Sequence, residues 1–174
     1  MSKSLLYIFS GLPGTGKSTL AQELAKVSGA CYLRIDTIEQ AIRELCDFKV
    51  EGEGYRLAYR IAADNLRLGK NVIADSCNPI RLTRDEWNNV AIDNNAIAVN
   101  IEIICSDLHE HQWRVETRTS EISGMRLPTW EQVQNREYHD WHCNRLVIDT
   151  FGKSIALCGK ELLEKISRLQ SAIK

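Results

Sequence analysis

The fold of this chain is decided by residues 11–18, which read Gly11-Leu12-Pro13-Gly14-Thr15-Gly16-Lys17-Ser18. They match G-x-x-x-x-G-K-[ST], the phosphate-binding loop known as the P-loop or Walker A motif. An apolar run of strand length, residues 5–9, precedes the motif, and a helical run, residues 19–26, follows it. Strand, glycine-rich loop and helix form the context in which this motif is specific, so it predicts a nucleotide-binding site.

The residue types of the loop suit phosphate chemistry. Glycines allow positive φ and a close approach of the backbone, so that loop N–H groups can bind phosphate oxygens. The helix that begins near Lys17 adds the positive end of its dipole. We expect Lys17 to contact the β- and γ-phosphates and the Ser18 hydroxyl to ligate Mg²⁺. The predicted nucleotide-binding residues of the loop are Gly11, Leu12, Pro13, Gly14, Thr15, Gly16, Lys17, Ser18 and Thr19.

Length and composition are typical of a single globular domain. The chain has 174 residues, of which 44% are hydrophobic and 26% charged, and we expect one domain over residues 1–174. The formal net charge of −1 excludes a global basic field for nucleic acid, although a local basic groove stays open. The sequence has six cysteines but no C-x-x-C pair, and it shows no signal peptide and no apolar stretch near about 20 residues. We therefore expect a cytoplasmic protein that neither binds a membrane nor needs an obligate protein partner.

Strand and helix patterns alternate along the chain. Strands are predicted at 5–9, 31–35, 71–75, 96–105 and 145–149, and helices at 37–45, 55–68, 107–119 and 160–172. The pairs Thr83–Glu86 and Thr129–Gln132 predict capping boxes that open two further helices. This alternation predicts an α/β fold with a parallel sheet and helices on both faces.

Two carboxylates are expected at the same sheet edge as the P-loop. Ligands of parallel sheets bind beyond the carboxyl ends of the strands, where the sequence places Asp36 and Asp75. Asp75 ends an apolar strand, as a Walker B carboxylate does, and is predicted to hold Mg²⁺ directly or through water. Asp36 is predicted to orient an acceptor hydroxyl and take its proton. Alternatively or in addition, Asp36 caps the helix at Thr37, with Glu39 completing a capping box.

An arginine-bearing segment follows the fourth strand. Arg114 and Arg118 are four residues apart and are predicted to share a helix face, followed by Arg126 and a loop that contains Gly124. Such a segment, about 107–128, suits a lid whose arginines stabilise charge on a transferring phosphoryl group. The alternative is a solvated charged face, with Glu110 and Glu116 as salt-bridge partners.

Several segments together resemble a group of small P-loop kinases. The group includes polynucleotide kinase domains, zeta-toxin-like kinases and many uncharacterised kinases of the AAA_33 type. The resemblance covers most of the chain and is carried by residues 11–18, 33–36, 72–78, 114–118, 127–131 and 145–150. It implies a five-stranded parallel sheet in the order 2-3-1-4-5, with ATP and Mg²⁺ as cofactors. It further implies that Asp36 is the general base, that Arg114 and Arg118 are lid arginines, and that Thr150 lies near the adenine.

The resemblance does not specify the acceptor. Polynucleotide kinase domains usually carry an arginine close after the base, whereas here the first arginine after Asp36 is Arg43. The leading hypothesis is therefore an ATP-dependent kinase that phosphorylates a hydroxyl of a small molecule. One alternative is a polynucleotide 5′-hydroxyl kinase, and the other is a nucleotide-binding regulatory ATPase with little kinase activity.

Further side chains are candidates for the acceptor pocket. The pocket is expected to draw on residues 37–68, including Arg43, Arg56 and Arg60. Aromatic residues on and after the lid either pack it onto the core or include one that stacks on a ring substrate. These residues are Trp113, Trp130, Tyr138 and Trp141.

Overall fold

The computed structural model describes residues 3–173, in which strands and helices alternate as the sequence predicts. The strands are β1 (Leu5–Ser10), β2 (Cys31–Arg34), β3 (Val72–Asp75), β4 (Ile97–Ile104) and β5 (Leu146–Asp149). The helices are α1 (Lys17–Ser28), α2 (Ile35–Cys46), α3 (Glu53–Arg67), α4 (Arg81–Asp93), α5 (Leu108–Thr117), α6 (Trp130–Gln134) and α7 (Ile155–Ile173).

The strands form one sheet in the order β2-β3-β1-β4-β5, and all neighbouring strands are parallel. Strand β1 is central, with Leu6 paired to Val72 of β3 and to Ala98 of β4. Every residue of β1 is buried, as expected for a parallel strand covered on both faces. The predicted fold class and strand order are confirmed.

Each face of the sheet has its own hydrophobic core. Because strand side chains alternate between faces, Phe9 packs on one side with α1 and α7, whereas Ile8 packs on the other with α3 and α4. Trp87 of α4 is fully buried in the second core. The two cores fix the sheet, so the loops at its carboxyl edge are built on a rigid base.

The start of α2 differs from the prediction. The helix begins at Ile35 and its N-cap is Arg34, which makes no side-chain capping hydrogen bond. The predicted cap by Asp36 is therefore wrong, and Asp36 lies in the first helical turn. The physical reason is the burial of Ile35, which packs in the second core and draws the helix start toward the strand.

Other helix boundaries depend on their caps. Thr83 lies inside the first turn of α4 and donates its hydroxyl to Ile80 O, so the predicted capping box at Thr83 is wrong. The capping box of Thr129 and Gln132 is confirmed at the start of α6. Helix α5 ends at Thr117 and α7 begins at Ile155, so the first is shorter and the second longer than predicted.

Candidate active site

The P-loop joins β1 to α1 in the geometry that binds anions. Gly11, Gly14 and Gly16 have φ values of 138°, 88° and 93°. Gly16 is the N-cap of α1 and, being glycine, offers no capping side chain. The N–H of Leu20 donates to Gly16 O at 3.2 Å, and the N–H groups before it in the first turn have no partner within the helix. They are therefore available to a phosphate.

Lys17 and Ser18 occupy the first turn of α1 and line the cavity in front of it. Lys17 is only 7% exposed, and its Nζ donates to Leu12 O at 3.1 Å. The Thr15 hydroxyl donates to the same carbonyl at 2.9 Å. The lysine thus lies folded over the loop, with its charge beside the space that a phosphate would take.

Helix α5 supports the loop from the side. His111 is 5% exposed and its Nε2 lies 2.8 Å from Pro13 O. Burial lowers the pKa of His111, so the neutral ring donates its Nε2–H to that carbonyl. A Cβ on Gly14 would lie 2.6 Å from Val115 Cγ2, so only glycine fits there. This support by α5 was not predicted from the sequence, although the i, i+4 spacing of His111 and Val115 is typical of one helix face.

Thr150 ties the end of β5 to the P-loop. Its hydroxyl lies 3.0 Å from both Thr15 O and Ile104 O, and accepts a hydrogen bond of 2.7 Å from Arg114 Nη1. Arg114 Nη2 donates to Thr150 O and to Glu110. Thr150 and Arg114 therefore lie together beside the nucleotide loop, and Arg114 is engaged by protein partners in this structure.

Asp36 and Arg118 line the same cavity as the P-loop. Arg118 follows the last residue of α5 and has an extended ψ of 149°, so the predicted shared helix face with Arg114 is wrong. Burial lowers the pKa of the Arg118 guanidinium. The Nε atom of Arg118 is buried and has no hydrogen-bond partner among residues 3–173.

Asp75 is the last residue of β3. It is 2% exposed and its Oδ2 accepts a hydrogen bond of 2.7 Å from the Tyr32 hydroxyl. Burial and then the charge of Asp75 raise the pKa of Tyr32. The next side chain, Ser76, has a buried Oγ without a partner among the described residues. Unlike Ser18, Asp75 does not line the cavity.

The donor chemistry of this edge fits Mg²⁺. The Ser18 hydroxyl and the second carboxylate oxygen of Asp75 are hard oxygen donors, which Mg²⁺ prefers. Within residues 3–173, no group of three or more His, Cys, Asp or Glu side chains could hold a metal by itself. A Mg²⁺ ion at this edge would be held by one or two side chains together with the phosphates of a nucleotide.

The cavity has a volume of about 1010 Å³ and extends from the P-loop to α2. Its lining is strongly basic, with eight cationic side chains against three carboxylates, an excess of five positive charges in a chain whose net charge is −1. The cations are Lys17, Arg34, Arg43, Arg114, Arg118, Arg126, Arg136 and Lys153, and the carboxylates are Asp36, Glu39 and Glu121.

Residues 118–128, which we call the lid loop, cross the cavity from α5 to α2. Arg34 Nη1 and Gln22 Nε2 both donate to Glu121 Oε2, at 3.0 and 3.4 Å. A Cβ on Gly124 would lie 2.5 Å from Glu44 Oε1, so the loop approaches α2 closely. The lid loop therefore forms a wall of the cavity.

The other predicted pocket residues divide into two groups. Arg43 and Trp113 line the cavity, whereas Arg56 and Arg60 of α3 do not. The remaining aromatic residues serve packing. Trp130 meets His111 edge to face, and Tyr138 and Trp141 both donate to Glu102.

Comparison with protein families gives one match, and comparison with curated proteins gives none. The model of the family described as AAA domain, AAA_33, matches residues 6–136. No curated protein matches the chain. No helix within residues 3–173 is both long enough and apolar enough to cross a membrane.

Several solved kinases share the fold over nearly their full length. A gluconokinase from Sinorhizobium meliloti 1021 is 16% identical, with a TM-score of 0.70 and coverage of 98% of this chain and 95% of its own. The APS kinase CysC of Mycobacterium tuberculosis, in complex with AMPPNP and APS, is 16% identical, with a TM-score of 0.69 and coverage of 96% and 99%. A sugar kinase from Janibacter sp. HTCC2649 is 13% identical, with a TM-score of 0.66 and coverage of 95% of each chain. At these identities the likeness shows the fold.

Proposed function

We propose that this chain, which belongs to the AAA_33 family, is a kinase that transfers the γ-phosphoryl group of ATP to a hydroxyl of a small molecule. One observation carries the proposal: a phosphate-binding loop, a carboxylate and a guanidinium line a single cavity. These groups are the P-loop with Lys17, Asp36 of α2, and Arg118 after α5. The three kinases that share the fold, one of them in complex with AMPPNP, support this choice of chemistry.

The nucleotide is held at the start of α1. The free N–H groups of the first turn and Lys17 bind the β- and γ-phosphates, as the loop geometry allows. Ser18, and Asp75 directly or through water, would hold Mg²⁺, which supplies charge neutralisation at the β- and γ-phosphate oxygens. Thr150 borders the same end of the cavity and lies near the base of the nucleotide.

Asp36 acts on the acceptor. Its carboxylate orients the acceptor hydroxyl and takes its proton as the hydroxyl oxygen attacks the γ-phosphorus. The new O–P bond forms while the bond between the γ-phosphorus and the β-phosphate oxygen breaks, so the products are a phosphate monoester, ADP and the proton on Asp36. Arg118, and Arg114 after release from Glu110, stabilise the charge on the transferring group.

The test is an acceptor screen that measures ADP release with ATP and Mg²⁺. Sugars, sugar acids, nucleosides, amino alcohols and 5′-hydroxyl oligonucleotides are offered in turn, and Asp36→Asn is compared with the wild type. We expect acceptor-dependent ADP release and a fall in kcat of about 10²- to 10⁴-fold in Asp36→Asn. Asp64→Asn is the matched control, because Asp64 lies on α3 outside the cavity lining and pairs with Arg67 on the surface.

Two outcomes would replace this proposal. ADP release that occurs only with oligonucleotide acceptors, together with a steep loss of oligonucleotide binding as the salt concentration increases, would identify a polynucleotide 5′-kinase. ATP binding with no acceptor-dependent ADP release, together with two nucleotide-dependent conformations, would identify a regulatory ATPase.

All six cysteines are free, which supports a place in the reducing cytoplasm.

A further inference from the structure

We infer that the phosphoryl acceptor is a small alcohol that carries an anionic group, and that Arg34 binds this group together with Arg118 beside Asp36. The inference rests on the proposed kinase function and names its substrate class. The anionic group is a carboxylate, phosphate or sulfate, since the same guanidinium chemistry recognises all three.

The distribution of charge in the cavity is the first reason. Lys17, Arg114 and Lys153 lie at the P-loop end, where Arg114 is paired with Glu110, Lys153 is paired with Glu161, and Lys17 is left for the nucleotide phosphates. The other five cations surround α2 and the lid loop, where the lining carboxylates number three. Arg43 is paired with Glu39 at 3.0 Å. Four arginines then remain against two carboxylates, Asp36 and Glu121, so a second ligand at this end of the cavity is expected to be negatively charged. The four are Arg34, Arg118, Arg126 and Arg136.

The positions of Arg34 and Arg118 are the second reason. Both guanidinium groups line the cavity that Asp36 lines, and Arg34 is the N-cap of α2, two residues before the proposed base. The Nε atoms of both are buried without a hydrogen-bond partner among residues 3–173. Buried donors of folded proteins are nearly always satisfied, and an oxyanion that enters beside them supplies the missing acceptor atoms.

The pairing of Arg34 with Glu121 is the third reason. The Arg34 side chain is 18% exposed, whereas that of Glu121 is 69% exposed and lies on the lid loop. Arg34 lowers the pKa of Glu121, so this carboxylate is ionised at neutral pH. An exposed ion pair of this kind is weak. Glu121 therefore occupies, with the same chemistry, the place on Arg34 that the anionic group of an acceptor would take.

Anion binding can be measured without knowing the acceptor. With the P-loop saturated by Mg²⁺–AMPPNP, inorganic sulfate is titrated and binding is followed by the shift in Tm and by Trp113 fluorescence. We expect sulfate to bind the wild type, and Arg34→Gln to weaken that binding about 10- to 100-fold. Arg34→Lys should recover part of the loss. Arg67→Gln, on the surface of α3, is the control and should leave sulfate binding unchanged.

Glu121→Gln separates competition from a merely structural role. Because Glu121 competes for Arg34, its neutralisation should strengthen sulfate binding about two- to five-fold. A purely structural ion pair would give the opposite result or none. The inference is overturned if sulfate does not bind, or if it binds equally to the wild type and to Arg34→Gln.

Pairs of acceptors that differ in one anionic group show whether that group is recognised, and they test the anion site separately from the kinase function. Gluconate is compared with sorbitol, and ribose 5-phosphate with ribose, because each pair differs in one anionic group. Turnover of only the charged member, with a KM that rises in Arg34→Gln while kcat is kept, supports the inference. Equal turnover of both members overturns it and leaves the kinase function intact. Sulfate binding without turnover of any acceptor in the wider screen overturns the kinase function and leaves the anion site.

Discussion

Replacing Gly14 by alanine tests whether α5 positions the P-loop. Gly14 has a φ of 88°, a value that costs an L residue about 1–2 kcal/mol. Its new Cβ would also lie 2.6 Å from Val115 Cγ2, a contact that adds about 1–3 kcal/mol of overpacking. The strain of about 2–5 kcal/mol falls on the loop that binds phosphate, so we expect ATP to bind at least about 30-fold more weakly.

A double-mutant cycle isolates the clash from the backbone strain. Val115→Ala removes the methyl group that the new Cβ would meet, and by itself it should cost about 1–2.5 kcal/mol of stability with little effect on ATP. Gly14→Ala combined with Val115→Ala should recover about 1–3 kcal/mol of ATP binding, while the φ penalty remains. Dissociation constants for ATP are measured by isothermal titration calorimetry, and stability is measured by urea unfolding.

Gly29→Ala is the matched control for this cycle. Gly29 has a φ of 63°, but its Cβ would meet nothing within 4 Å. The Gly29→Ala variant should lose about 1 kcal/mol of stability, and its dissociation constant for ATP should lie within about two-fold of the wild-type value. Additive effects of Gly14→Ala and Val115→Ala on ATP binding would show that the packing of α5 does not position the loop.

Three further predictions concern stability, each measured by urea unfolding. Burial lowers the pKa of His111, so the unfolded chain binds a proton at this residue more readily, and the free energy of unfolding should fall as the pH drops below about 6.5. His111→Asn should reduce this dependence of stability on pH, and an unchanged dependence would contradict the prediction. Gly159→Ala should stabilise the chain by about 0.5–1 kcal/mol, because the helical site has ordinary φ and empty space; a loss of stability would reveal an unseen contact. Arg84→Met should cost about 3 kcal/mol or more, since four backbone carbonyls lose a guanidinium donor, although Pro79 O keeps the His139 N–H, and two cation–π contacts are lost; a smaller loss would mean that water replaces them.

The fold was largely predictable because its signals are local. The P-loop, the apolar strands and the helical runs each depend on residues within a few positions of one another. The strand order came from the resemblance to small P-loop kinases. Helix starts were less predictable: Thr129 and Thr83 have the same capping pattern, but only Thr129 is followed by a helix that begins there. The burial of Ile35 decided the start of α2 over the capping potential of Asp36.

The sequence by itself determined that a phosphate-binding loop, two carboxylates and an arginine-bearing segment meet at one edge of a parallel sheet. Their meeting follows from the alternation of strands and helices, since parallel strands all end at the same edge. Only the tertiary structure decided their partners. Tyr32 hydrogen-bonds Asp75, and Glu121 pairs with Arg34. Such partners lie tens of residues apart in the chain, so their contacts depend on how the strands are ordered and how the helices pack, which no local pattern encodes.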